Sequence, residues 1–101
     1  MNHLIGIVWF RDELTYRRAL DIFVDSQSMP RTFEDWQALV GKQLDQIRYA
    51  GNIALRVDFN PEKFVDWCNM RGFRADSQAR VALAEHGVLE YQKTGKGTIV
   101  E

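Results

Sequence analysis

Between Asn52 and Gly72 the spacing of apolar residues changes once, from every second position to every third or fourth, marking where a strand gives way to a helix. Ile53, Leu55, Val57 and Phe59 alternate with Ala54, Arg56 and Asp58, the pattern of a strand buried on one face. Asn60 can cap the helix that follows, and Pro61 suits its first turn because a missing N–H does no harm there. Phe59 and Phe64 have the spacing of a hydrophobic staple. Phe64, Trp67, Cys68 and Arg71 line one helical face, and Gly72 supplies the left-handed stop.

The same reading extends over the rest of the chain. Leu4 to Phe10 is a short strand, apolar on both parities, as expected when both faces of a strand are covered; Gly6 within it marks a bulge or a close backbone approach. Asp12 caps a helix predicted to reach Asp25, with Tyr16, Ala19, Leu20, Phe23 and Val24 as its stripe. Ser26 to Arg31 is a loop by composition, and Thr32 with Asp35 opens a capping box. Phe33, Trp36, Val40, Leu44 and Ile47 carry the second helix to about Tyr49. Gly41 inside it predicts tight packing or a bend, since glycine there costs about 1 kcal/mol relative to alanine. Asp76 starts a brief, Ala-rich fourth helix ending at His86-Gly87. Val88–Gln92 and Thr98–Val100 then read as strands around a hairpin loop at Lys93–Gly97.

The predicted order is therefore β-αα-β-αα-ββ. Each antiparallel helix pair returns the chain to the end of the sheet where the last strand finished, so the next strand must run the other way. The expected fold class is α+β: a two-layer sandwich with a mainly antiparallel sheet of three to four strands and all helices on one face, forming one domain over residues 1–101. A mixed sheet follows instead if either helix pair is splayed. Pro30-x-x-Phe33-x-Asp35-Trp36 echoes Pro61-x-x-Phe64-x-Asp66-Trp67. The cap registers differ, however, which favours shared helix-start chemistry over duplication.

Composition narrows the function classes more than it selects one. At 46% apolar and 12% aromatic the 101 residues can build a core, and disorder of the whole chain is not expected. A net charge of −1 gives no overall attraction for a polyanion, so nucleic acid is not an expected partner. Arg17-Arg18 and the trio Arg71, Arg74 and Arg80 form the local basic groups, each with acidic neighbours. One cysteine cannot make an internal disulfide, and a reduced Cys68 on an apolar helix face fits a cytoplasmic protein. No apolar run approaches the roughly 20 residues of a membrane span.

Candidate chemistry is sparse. Lys93-Thr94-Gly95-Lys96-Gly97-Thr98 lacks the first glycine and the following helix of a phosphate loop. His3 and His86 with Cys68 make neither a zinc pattern nor a recognisable nucleophile pair, and neither metal nor cofactor is expected. Asp58 near the end of the central strand, beside Arg56, is a candidate ligand-binding group, and Trp36 and Trp67 are candidate walls of an aromatic pocket. Ile5, Ile7 and Trp9 share one parity of the first strand and are candidate interface residues, because helices on one face only would leave one parity uncovered. The reading is a small module, with no recognisable catalytic motif, that binds itself as a homodimer or binds another protein. The alternative is a small-molecule domain with its pocket between helices and sheet.

The cap at Asn60 is testable from the sequence alone. Asn60→Ala should lower stability by about 0.5–2 kcal/mol and Asn60→Gly by only a few tenths, measured by urea unfolding. Equal large losses would show that the side chain has another role.

Overall fold

The computed structural model describes residues 3–100; residues 1, 2 and 101, to which the single-domain expectation extends, lie outside the described residues. The elements are β1 (Leu4–Trp9), α1 (Glu13–Ile22), a 3-10 turn (Ser26–Ser28), α2 (Phe33–Tyr49), β2 (Ile53–Asp58), α3 (Pro61–Arg71), α4 (Ser77–Thr94) and β3 (Thr98–Val100). Each α-helix begins at the predicted polar residue. The side chains of Asp12, Thr32, Asn60 and Asp76 accept from the backbone N–H of Thr15, Asp35, Lys63 and Ala79, respectively. The staple forms as well, with the Phe59 and Phe64 rings 5.0 Å apart.

Among the described residues the fold is α+β, with four α-helices on a three-stranded sheet ordered β1-β2-β3. The sheet is mixed rather than mainly antiparallel. β1 and β2 run parallel with Leu4 opposite Ile53 and Trp9 opposite Asp58, and β3 runs antiparallel to β2 with Ala54 opposite Val100. The expectation failed because α1 and α2 are not two equal legs of a hairpin. The 17 residues of α2 span about 25 Å and the six of β1 about 20 Å, so α2 alone carries the chain back to the start of the sheet. The ten-residue α1 instead packs on α2 and α3, beyond the ends of β1 and β2.

Helices also cover both faces of the sheet, not one. Trp36 of α2 meets Trp9 edge to face, with ring centroids 5.5 Å apart, on the face that carries Ile5, Ile7, Ala54 and Arg56. α4 lies on the opposite face, where Gly6 sits beneath the Ala84 carbonyl and Gly87 against Val57. Both parities of β1 therefore have cover within the chain: Ile7 is buried, Trp9 half-buried, and only Ile5 is left exposed. The reason for expecting a bare sheet face at Ile5, Ile7 and Trp9 falls away.

The predicted hairpin is replaced by a longer helix. α4 runs through Gly87 and absorbs Val88–Gln92, stopping at Gly95, which has the left-handed φ of 71°. Leu, Glu, Gln and Lys are good helix formers, and the close seat of Gly87 on Val57 compensates its poor propensity. Only Thr98–Val100 remains as a strand.

The core is largely aromatic and sits at the C-terminal end of the parallel pair. Phe10, 2% exposed, has its ring within 5.0–6.2 Å of those of Tyr16, Phe23, Trp36 and Phe59. Phe23 and Phe59 extend this cluster to Phe64, and Phe64 extends it to Trp67. Tyr16 is buried but satisfied, its hydroxyl donating to the Pro30 carbonyl at 2.6 Å.

Two glycines separate packing from propensity. A methyl at Gly6 would stand 2.5 Å from the Ala84 carbonyl oxygen, whereas one at Gly41 meets nothing within 4 Å, so the expected tight packing there is absent. Gly41→Ala should raise stability by about 0.4–1 kcal/mol and Gly6→Ala should lower it by about 1–3 kcal/mol in chemical denaturation. A tolerated Gly6→Ala would contradict the close seat of α4 on β1.

Candidate functional site

β1 is an edge strand, and its ladder with β2 decides which of its backbone groups are free. The His3 carbonyl accepts from Ile53 N–H and the Trp9 carbonyl from Phe59 N–H, each at 2.9 Å. Alternate residues of a parallel strand direct both backbone groups to the same neighbour. Ile5, Ile7 and Trp9 thus bond β2, while the N–H and C=O groups of Leu4, Gly6 and Val8 point away from it. Among the described residues no other segment hydrogen-bonds to these outward groups.

Along this open edge lies a groove of about 610 Å³. Its floor is Ile5–Val8; one wall is Trp36, Leu39, Gln43 and Ile47 of α2, and the other is Ser77, Arg80, Val81 and Ala84 of α4. Met29 and Pro30 close the end near Phe10. A second hollow of about 550 Å³ shares Ile5, Gly6, Val81 and Ala84 with it and continues to Val88 and Leu89. The lips are apolar and exposed: Leu39, Val81 and Leu89 are 43%, 58% and 55% accessible. Residues Leu4–Phe10 carry no charge, and the groove's one cation is already engaged. Both terminal guanidinium nitrogens of Arg80 donate to the Asp25 carboxylate, at 2.8 and 2.9 Å, and the group lies 4.4 Å from the Phe23 ring centroid. Hydrogen bonding from Arg80 holds the Asp25 carboxyl below the usual carboxylate range, against the opposing effect of its burial.

The residues predicted from sequence fall into three places. Trp36 is buried in the aromatic core and also lines the groove. Arg56 and Asp58 pair with each other at 2.5 Å on β2, with the guanidinium 5.6 Å from the Trp9 ring centroid. Trp67 lies at the far end of the aromatic cluster, stacked with Phe64 and Phe73 beneath the Arg71 guanidinium, and its indole N–H has no partner among the described residues. These four residues do not frame one pocket. Ile5 and Ile7 line the groove floor, and Trp9 lies beside it.

The remaining candidates are placed just as plainly. Cys68 is buried, and that burial pushes its thiol up, away from the reactive thiolate. His86 faces the Trp67 ring. Arg17 pairs with Glu13 and Arg18 with Glu62, which disperses that basic group. Among the described residues no three His, Cys, Asp or Glu side chains are gathered to hold a metal ion, and no helix is long and apolar enough to cross a membrane.

Sequence reasoning missed the α4 wall because it expects all helices on one face of the sheet, and it assigns Val88 and Leu89 of the second hollow to a strand. The signal was present in the unbroken helix-forming composition on both sides of Gly87. No family model, no curated protein and no solved structure matches this chain.

The Asp25–Arg80 pair makes a testable pH dependence. A carboxyl whose folded pKa is depressed adds stability above its unfolded pKa of about 3.9, and that stability is lost as pH falls toward the folded value. Arg80→Gln should lower stability at neutral pH by about 1.5–3 kcal/mol, and the gap from the unsubstituted protein should shrink as acid titrates Asp25. A gap that is constant or widens toward pH 3 in urea titrations would contradict this role.

Proposed function

We propose that the protein acts by association, as a non-catalytic protein–protein interaction module whose first partner is a second copy of itself. The observation that carries this reading is the open edge of β1: three residues with outward backbone groups, in an apolar groove. Exposed edges are ordinarily guarded by lysine, proline or an inward charge, because they pair with any strand that reaches them. Leu4–Phe10 has none of these. Strand addition at such an edge gives affinity through main-chain hydrogen bonds and specificity through side chains on the flanking walls. The reduced, buried Cys68 supports placing this module in a reducing compartment such as the cytoplasm.

A second reading is favoured by the groove itself. Its volume falls within the range of small-molecule sites, and Trp36, Met29 and Ile47 offer an apolar bed beside the Gln43 and Gln46 amides. A small apolar ligand retained through purification and seen by native mass spectrometry would favour it over association.

Sedimentation equilibrium near micromolar concentration tests the association reading. The mass should be that of a dimer, and Ile5→Lys should weaken association by about tenfold or more while leaving the near-ultraviolet circular dichroism unchanged. A monomer throughout the accessible concentration range would overturn self-association.

A further inference from the structure

We propose that the strand added to β1 is β1 of a second copy, antiparallel to the first, with a two-fold axis beside Gly6. This inference rests on the association reading and specifies its partner and register. The outward groups of Leu4, Gly6 and Val8 restrict the choice, because in an antiparallel pair hydrogen-bonded residues must lie opposite one another. The register centred on Gly6 places Leu4 opposite Val8 of the second copy, Gly6 opposite Gly6, and Val8 opposite Leu4. Every outward group of both strands is then used. A shift by one residue sets every outward group against a residue whose own groups bond β2, and a shift by two residues either way leaves one of the three without a counterpart in the partner's strand.

The side chains agree with that register. Leu4-Ile5-Gly6-Ile7-Val8 reads almost the same from either end, so the two-fold sets Ile5 against Ile7 and Leu4 against Val8. These are apolar cross-strand pairs of the kind that stabilise sheets. An interface between identical patches must not repel itself, and this edge has no charge from Leu4 to Phe10. Arg80 is bound to Asp25, and Glu85, the charged residue of the second hollow, is exposed to solvent. Opposite residues of an antiparallel pair share a face. The two α4 helices therefore lie together on one side of the joined sheet and the two α2 helices on the other. The exposed Val81 and Leu89 on one side, and Leu39 on the other, supply apolar lips to close over the junction.

Disulfide trapping tests the register. In a Cys68→Ala background, Ile5→Cys and Ile7→Cys proteins are prepared separately, mixed and oxidised. In the Gly6-centred register Cα atoms at 5 and 7 face each other at about 4.5 Å, within disulfide reach, while two copies of either position lie beyond about 7 Å. The mixture should cross-link to a heterodimer as its main product, and neither protein alone should cross-link at the same rate. Self-linking of either variant alone would overturn the register. A dimer with no link in the mixture would place the interface elsewhere and overturn this inference while leaving association standing. A monomer would overturn both. Should either variant fail to fold, isotope-filtered nuclear Overhauser contacts between Leu4 and Val8 in mixed labelled and unlabelled unsubstituted protein make the same decision: their presence supports the register and their absence in a dimer overturns it.

Discussion

The parallel pairing of β1 with β2 is the constraint on which the rest of the structure depends. It requires a connection that returns the chain to the start of the sheet, and α2 is long enough to make that return alone. A crossover between parallel neighbours lays its helix on one face of the sheet, and α2 takes the face that carries Trp9. The opposite face must then be covered by a later element, and α4 takes that place. The same ladder consumes the backbone groups of Ile5, Ile7 and Trp9 and turns those of Leu4, Gly6 and Val8 outward. Fold and candidate site thus have one origin.

Two kinds of packing hold the pairing in place. At the C-terminal end of the strands, Phe10 and Phe59 turn into the core from the positions just past β1 and β2, their rings 5.2 Å apart. Tyr16 and Phe23 of α1, with Trp36 of α2, close around them, so the end of the parallel pair is sealed by rings. Along the strands the contact is made by absence of bulk: α4 approaches closely enough that Gly6 and Gly87 have no room for a methyl group. Asp25 and Arg80 tie the turn after α1 to α4, joining the two kinds of packing beside the groove.

Local structure was legible in the sequence because it is decided by neighbours in the chain. All four helix caps, the Phe59–Phe64 staple and the stop at Gly72 stand where residue type and spacing placed them. The echoed Phe and Trp pairs also read correctly as inward positions: Phe64 and Trp36 are buried, and Phe33 and Trp67 are half-buried. What failed was decided by distant contacts. Gly87 looks like a helix stop until Val57 is known to lie against it, and the true stop at Gly95 looks like part of a hairpin turn. Strand direction depended on unequal helix legs, and covering both faces of the sheet followed from that direction. The apolar run at β1 did signal two covered faces, but the single helical layer assumed for the sheet turned that signal into a bare face. The groove was invisible for the same reason, since its two walls, α2 and α4, stand on opposite faces of a sheet expected to carry all its helices on one.

An edge strand without guards, set between apolar walls, is the feature of this protein that asks for a partner. Residue-resolved amide hydrogen exchange in β1, followed as protein concentration is raised, tests that claim most directly. The amides of Ile5, Ile7 and Trp9 should be protected at every concentration, because they bond β2. Those of Leu4, Gly6 and Val8 should exchange freely in dilute solution and gain protection in step with association. Full protection of these three amides in the monomer, or free exchange in the associated protein, would contradict the account.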